Sequence, residues 1–431
     1  MRILIVGLNF YPEPTGIGKY TGELAAFLGS RGHEVHVITT PPYYPHWRVQ
    51  MGYHAGRYRR QTWRNVDIWR CPVWVPSRPT GFTRLIHIAT FVLSSLPVLA
   101  GQVGWKPDVI VCVAPALANA PFVLALARVC RSKTWLHLQD FELDIAHNLG
   151  LFPAWKPMLA LVAWIERTLL NQFGRISTIA KAMSARLHAK GLDWEKIVLL
   201  PTWVDTGRIY PLNSNNPIRA DLDLPPDHLV VLYAGAMGRK QGLDTLLEAA
   251  RFLEGQPCIQ FVLCGDGVAR SGLEAAADDL PNVRFLPVQP ADKLNQLLNA
   301  ADIHVLIQKA EAADLVMPSK LSGMLASGRP VIATARRDTE VGRVVSQVGV
   351  LVPPEDPEAL ALEISSLARS PARRRKLGKK GRAYILENWD ASLILRRFEQ
   401  QLRQLGQRRR AASYAVNRDR QPSMNGQVGF E

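Results

Sequence analysis

Apolar positions along the chain fall into two recurring patterns, and their alternation lays out the fold. Short continuous apolar runs, the mark of strands buried on both faces of a parallel sheet, occur at residues 3–7, 35–38, 108–113, 134–138, 175–179 and 197–200. They return at 230–234, 260–264, 283–286, 303–307 and 331–333. Between them apolar residues recur at helical spacing: Leu24, Phe27 and Leu28 after Gly16, then 82–105, 121–128, 154–173, 182–190 and 243–252, and Leu321, Met324 and Leu325 before Gly328. Strand alternating with helix in both halves predicts an α/β protein of two doubly wound, Rossmann-like parallel-sheet domains facing each other, with the ligand in the cleft between them.

A chain of 431 residues exceeds what one core of about 250–300 residues usually holds. The expected division is a first domain over 1–200, a linker over 201–228 rich in Pro, Asn and Asp, a second domain over 229–383, a closing helix over 384–405, and a polar tail over 406–431 without periodicity, expected to be disordered. Residues 41–79 read as a long loop followed by a strand over 66–75. The most apolar stretch, 82–105, nears the length of a membrane span, but Arg84, His87, Ser94, Ser95 and Pro97 count against one. It reads as a core or interfacial helix, with contact at a membrane surface as the alternative.

The formal charge of +15 and a pI near 9.8 call for an acidic partner. Part of the excess is local, in Arg373, Arg374, Arg375, Lys376, Lys379, Lys380 and Arg382 and in Arg408 to Arg410, and these runs lack the interleaved aromatics that nucleic-acid binding uses, so no nucleic-acid partner is expected. Five scattered cysteines without CxxC spacing suggest reduced thiols and neither a disulfide frame nor a metal site. The opening apolar run is short for a leader and reads as a strand, which makes cytoplasmic the expected location.

Three loops carry candidate chemistry. Gly16-Ile17-Gly18-Lys19 opens a helix, where glycines admit close backbone approach and the helix start favours an anion. Those glycines stand too far from the first strand, and no acidic residue follows 35–38, for a dinucleotide site. Pro318-Ser319-Lys320 opens another helix and adds a full positive charge; the alternative is an ordinary helix start with a solvated lysine. The strand over 134–138 delivers His137, Gln139, Asp140, Glu142 and Asp144 to its C-terminal end, where carboxylates can position sugar hydroxyls or act as a base, or merely cap the next helix.

Five stretches in order, NFYPEPTGIGKYTGELAAFLGSRGHEVHVIT, PTWVD, YAGAMGRKQGLDTLLEAA, CGDG and PSKLSGMLASGRPVIAT, resemble the retaining GT-B glycosyltransferases of family 4 over nearly the whole chain to about residue 405, and within it the colanic-acid and exopolysaccharide type. The resemblance implies a nucleotide-diphospho-sugar donor, leaning to GDP-fucose or GDP-mannose, in the second domain. It implies a lipid-linked glycan acceptor in the first, no cofactor and no obligatory metal; the one Asp-x-Asp, Asp221-Leu222-Asp223, lies in the linker. A peripheral place at the anionic inner face of the plasma membrane follows. Carried over residue by residue, Lys320, Arg239 and Asp140 take catalytic roles. Gly16, Ile17, Gly18, Gly235, Lys240, Gly265, Pro318, Ser319 and Leu321 bind donor, and Gln139, Glu142 and Asp144 bind acceptor. The chain departs from the pattern where the family has two glutamates, here Leu315 and Gly323 with Asp314 nearby. It departs again where the family has an arginine and a lysine, here Ala236 and Gln241 with Arg239 and Lys240 adjacent. The family's acceptor-domain histidine has Gln139 or Asp140 as its counterpart. Those losses leave two other readings, a non-catalytic nucleotide-sugar-binding scaffold subunit and a GT-B sugar epimerase.

Overall fold

The computed structural model describes residues 1–115, 117–139, 156–212, 216–221, 227–238, 241–310 and 317–418, with side chains throughout these except at 117, 156–160 and 407–418. The chain forms two compact units: Met1–Thr178, Leu187–Val198 and Leu395–Glu431 make the first, Ile179–Arg186 and Leu199–Ile394 the second.

In the first unit the strands are β1 (Arg2–Gly7), β2 (Glu34–Thr39), β3 (Arg59–Trp63), β4 (Val66–Arg70), β5 (Val109–Val113), β6 (Lys133–Leu138), β7 (Arg175–Thr178) and β8 (Ile197–Leu199). Their order in the sheet is β3-β4-β2-β1-β5-β6-β7-β8. Pairings from β4 through β7 are parallel. The helices are α1 (Gly16–Ser30), α2 (Gly81–Trp105), α3 (Ala120–Cys130), α4 (Lys156–Asn171) and α5 (Lys181–Ala189), the last crossing from the second unit into the first. β1 and β5 are buried almost throughout, as their continuous apolar runs require.

β3 corrects the expectation of a loop before residue 66. It pairs antiparallel with β4 through a two-residue turn at Arg64 and Asn65, both at positive φ, the geometry that joins twisted strands tightly. Its RRQTW sequence has no apolar face because it is an edge strand, blunted by charge and held by polar pairs such as Thr62 Oγ1 donating to Asp67 at 2.7 Å.

The second unit is a six-stranded sheet of β9 (Leu229–Ala234), β10 (Ile259–Cys264), β11 (Val283–Leu286), β12 (Ile303–Leu306), β13 (Val331–Thr334) and β14 (Val350–Val352), parallel in the order β11-β10-β9-β12-β13-β14. Its helices are α6 (Pro217–Asp221), α7 (Asp244–Phe252), α8 (Arg270–Ala276), α9 (Leu294–Ala300), α10 (Ser319–Ala326), α11 (Glu340–Val348), α12 (Pro357–Ala368) and α13 (Pro371–Asn388). Alternate residues of the central strands feed opposite faces: Val231, Tyr233, Phe261 and Leu263 pack with Leu246 and Ile364, while Val230, Leu232 and Val262 pack with Leu297. Chain order reverses beside β9, which makes the C-terminal end of that strand a switch point.

Three further differences stand out. Residues 340–368, for which the apolar spacing gives no expectation, supply α11, β14 and α12. The stretch expected as a bare linker contains α6. The closing helix is α14 (Ala391–Arg418), whose helical backbone continues through 406–418 where a tail was expected. From Leu395 on it belongs to the first unit, where Phe398 meets Trp135 edge to face at 4.8 Å.

Candidate functional site

In the second unit the turns leaving β9 and β10 are laced backbone to backbone. Gly235 N–H donates to Cys264 O at 2.9 Å, Met237 N–H to Asp266 O at 2.8 Å and Ala269 N–H to Met237 O at 2.9 Å. A methyl on Gly265 would lie 1.9 Å from Gly235 O, and one on Gly267 2.3 Å from Met237 O. These glycines permit two loops to touch, and both sit at positive φ. Gly235 differs: a Cβ there would press on the Lys320 side chain, 3.3 Å from its Cδ.

Lys320 enters from the first turn of α10. Pro318 is the N-cap, extended and without a side-chain cap, so the helix start presents its N–H groups and dipole. The lysine folds inward: Nζ donates to Tyr233 Oη at 3.2 Å and lies 4.4 Å from the centroid of that ring. Tyr233 in turn donates to Ala236 O at 2.5 Å, which fixes the ring, and burial raises its phenol pKa. No carboxylate pairs with Lys320 among the described residues, and burial brings its pKa down to about 8. A partly dehydrated cation at a helix start, with no carboxylate partner among the described residues, has the chemistry to take a phosphate oxygen.

Lys320, Gly235, Gly265, Pro318 and Ser319 are thus gathered on the second unit. Leu321 sits apart from them: its side chain is fully buried in a cluster with Leu298, Leu306 and Met324, and its N–H bonds Pro318 O at 3.0 Å. Its helical spacing is a core signal, not a ligand signal. Gly323 faces α9, where an added Cβ would meet Leu298 at 3.3 Å. Arg239, Lys240, Asp314 and Leu315 lie outside the described residues.

In the first unit the loop after β1 is organised by a residue that the sequence does not single out. Glu13 is 2% exposed. Its Oε1 accepts from Tyr43 N–H at 3.1 Å and Tyr44 N–H at 3.0 Å, and its Oε2 from Asn9 Nδ2 at 3.0 Å. Burial raises its pKa against the pull of those donors. Arg70, also buried, donates to Thr40 O at 2.9 Å and to the Tyr11 carbonyl. Gly18 is explained by this knot, since a Cβ there would fall 2.3 Å from Glu13 Oε2. The Glu13 carboxylate occupies the space where a side chain at residue 18 would stand. Gly16 stays exposed at φ +62°, where an added Cβ would meet the Tyr44 ring at 3.5 Å, and Ile17 beside it is half-buried.

Gln139 is buried just past β6. His137 before it bonds Ser177 Oγ at 2.8 Å, and burial lowers its pKa to about 4, so its ring is neutral near pH 7. Asp140, Glu142 and Asp144 lie outside the described residues. Asp221 ends α6, and Leu222 and Asp223 are likewise outside. Among the described residues no cluster of three or more His, Cys, Asp or Glu could hold a metal ion.

Two Rossmann-like units, each built on a largely parallel sheet, are the architecture of the GT-B class of glycosyltransferase. Known structures agree. Sucrose-phosphate synthase from Thermosynechococcus elongatus superposes with a TM-score of 0.71 at 19% identity, over 94% of this chain and 98% of its own. HepE of Anabaena, in complex with UDP and glucose, gives 0.64 at 16% identity, over 94% and 100%. Residues 15–203 match the glycosyl transferase 4-like domain and residues 228–370 the glycosyl transferases group 1. The putative colanic acid biosynthesis glycosyl transferase WcaI of Escherichia coli K12 is 39% identical over 412 residues, 94% of this chain and all of that protein. The chain therefore belongs to the group 1, family 4 glycosyltransferases and is an enzyme of that kind.

Proposed function

We propose that this glycosyltransferase moves a sugar, with retention and without a metal, from a nucleotide-diphospho-sugar held on the second unit to a lipid-linked glycan acceptor held on the first, in the assembly of an extracellular polysaccharide of the colanic-acid type. The observation that carries this reading is Lys320, an ammonium over Gly235 at an uncapped helix start, with no carboxylate partner among the described residues. As the bond from the sugar to the diphosphate breaks, negative charge grows on the departing oxygens, and a fixed cation there stabilises the transition state more than the bound donor. Gly235 and Gly265 support it by keeping the floor of the site to backbone. The similarity to WcaI supports the polysaccharide, and the UDP and glucose bound by HepE support the class of donor. GDP-fucose and GDP-mannose are the donors to try first.

The acceptor side is supported by α2. It is long and apolar enough to cross a membrane: its most apolar 18-residue window has a mean hydropathy of 1.6, and a third of that window is buried inside the protein. Such a helix suits a peripheral enzyme working at the cytoplasmic face on a lipid-borne substrate. The test is a thermal-shift series with GDP, UDP, ADP and NAD on the full chain and on Lys320→Ala. One nucleoside diphosphate should raise the melting temperature of the wild type and not of the variant. Transfer should fall by about two to three orders of magnitude in Lys320→Ala while the melting temperature without ligand is kept. Near-normal turnover in the variant removes Lys320 from the mechanism, and a shift with NAD alone removes the transferase reading of the site.

A further inference from the structure

The first unit carries a concave apolar surface that the donor chemistry does not use. Residues 46–56, residues 72–77 and the middle of α2 enclose a groove of about 1130 Å³, floored and walled by Trp47, Val49, Val73, Trp74 and Leu93. Its walls are tied to one another. Ser94 Oγ donates to Pro72 O at 2.6 Å, Trp74 N–H donates to Thr90 Oγ1 at 3.1 Å, and His87 Nδ1 bonds Trp74 O at 2.7 Å. The groove is therefore preformed, and an occupant would not have to order it. Apolar surface continues out of it along α2, where Leu93 is 68% exposed and Phe82 66%.

Charge identifies the occupant. Among the described residues no Asp or Glu lines the groove, and α2 contains none. Arg48 lines it, and Arg84 lies over the Trp47 ring at 5.3 Å, both exposed and neither paired with a carboxylate among the described residues. A water-exposed apolar trough with Arg48 in its lining and Arg84 over the Trp47 ring beside it complements one molecule with a long apolar chain and a phosphate at its head. An apolar peptide would leave those arginines unused.

We infer that this groove binds the phosphate-proximal part of the chain of a single lipid phosphate, the carrier of the acceptor; this rests on the reading that the acceptor is lipid-linked. The Arg48 and Arg84 guanidinium groups take the phosphate, and Trp47, Trp74 and Leu93 take the chain.

The probe is decyl phosphate, kept below its micelle concentration and titrated calorimetrically into the full chain, with decanol and inorganic phosphate as controls. Leu93→Asp changes an exposed position and spares the fold. It should weaken decyl phosphate about tenfold or more. The double variant Arg48→Glu, Arg84→Glu should lower decyl phosphate affinity to that of decanol. Nucleoside diphosphate shifts should be the same in all three proteins. Unchanged decyl phosphate binding in Leu93→Asp overturns the inference. So does equal binding of inorganic phosphate, or co-sedimentation with phosphatidylglycerol vesicles that is alike in wild type and Leu93→Asp while decyl phosphate does not bind. Failure of the donor reading appears separately, as loss of every nucleoside diphosphate shift in the wild type.

Discussion

Lys320 carries a charge that the fold keeps partly out of water, and its behaviour with pH follows. Burial holds its pKa at about 8, below the 10.5 of a free lysine, so in the empty protein the ammonium is lost as pH rises through about 8. A bound diphosphate favours the charged form. Diphosphate affinity should therefore be level below pH 8 and fall above it by up to about tenfold per pH unit. Lys320→Arg, charged throughout, should show no such fall; calorimetric titration between about pH 7 and 9.5 reads both. Gly265 makes a second residue-scale case. Gly265→Ala should destabilise the second unit by about 1–3 kcal/mol or more in urea melts, because its methyl would fall on Gly235 O at 1.9 Å. The nucleoside diphosphate shift should shrink with it, since Gly235 is the floor under Lys320. The glycine turn and the lysine at a helix start were legible in the sequence, whereas Tyr233, which aims the lysine, was not. In the sequence it is one more apolar residue in a buried strand.

At the scale of elements, α10 is held by α13. A methyl on Gly378 would lie 1.9 Å from Gly328 O, and one on Gly381 2.8 Å from the Leu325 side chain. The two glycines let α13 run against the end of α10. Gly378→Ala should cost about 1–3 kcal/mol of stability, seen as a lower urea midpoint, and should weaken diphosphate binding as the start of α10 shifts. The charged sequence of α13 suggests a solvated face, and Arg375, Lys376, Lys379 and Lys380 are indeed exposed. Nothing in that pattern announces that its glycines mark a helix crossing. β3 was hidden for the opposite reason: an edge strand needs no apolar face, so its pairing is written in β4 and in the Arg64-Asn65 turn rather than in its own residues.

For the whole molecule, the last helix returns to the first unit. Phe398, 2% exposed, packs on Trp135, and Glu399 bonds Arg403 at 2.7 Å, His33 at 3.0 Å and Arg31 at 3.2 Å. Phe398→Ala should lower the calorimetric transition of the first unit, at a cost of about 3–5 kcal/mol, and leave that of the second in place. Burial raises the Glu399 pKa, but the bonds from Arg403, His33 and Arg31 outweigh it and hold the carboxyl down at about 2. A depressed carboxyl pKa contributes stability above the ordinary carboxylate range. That contribution is lost as pH falls from about 4.5 toward 2, so acid should loosen this attachment, and Glu399→Gln should flatten the pH dependence of the transition of the first unit.

Outside β3 and residues 340–368, the alternation of buried strands with helices was settled by the sequence alone, as were the glycine turns and the lysine at a helix start. Each rests on periodicity or on backbone conformation within a few neighbouring residues, where local preference and burial point the same way. The use of Gly18 as a berth for Glu13, the commitment of Leu321 to the core, the aim of Lys320 at Tyr233 87 residues away and the return of Glu399 to His33 across 366 residues were decided by tertiary structure. Those pairings depend on which surfaces the sheets bring together, and an isolated stretch of chain has no preference among them until packing removes the alternatives.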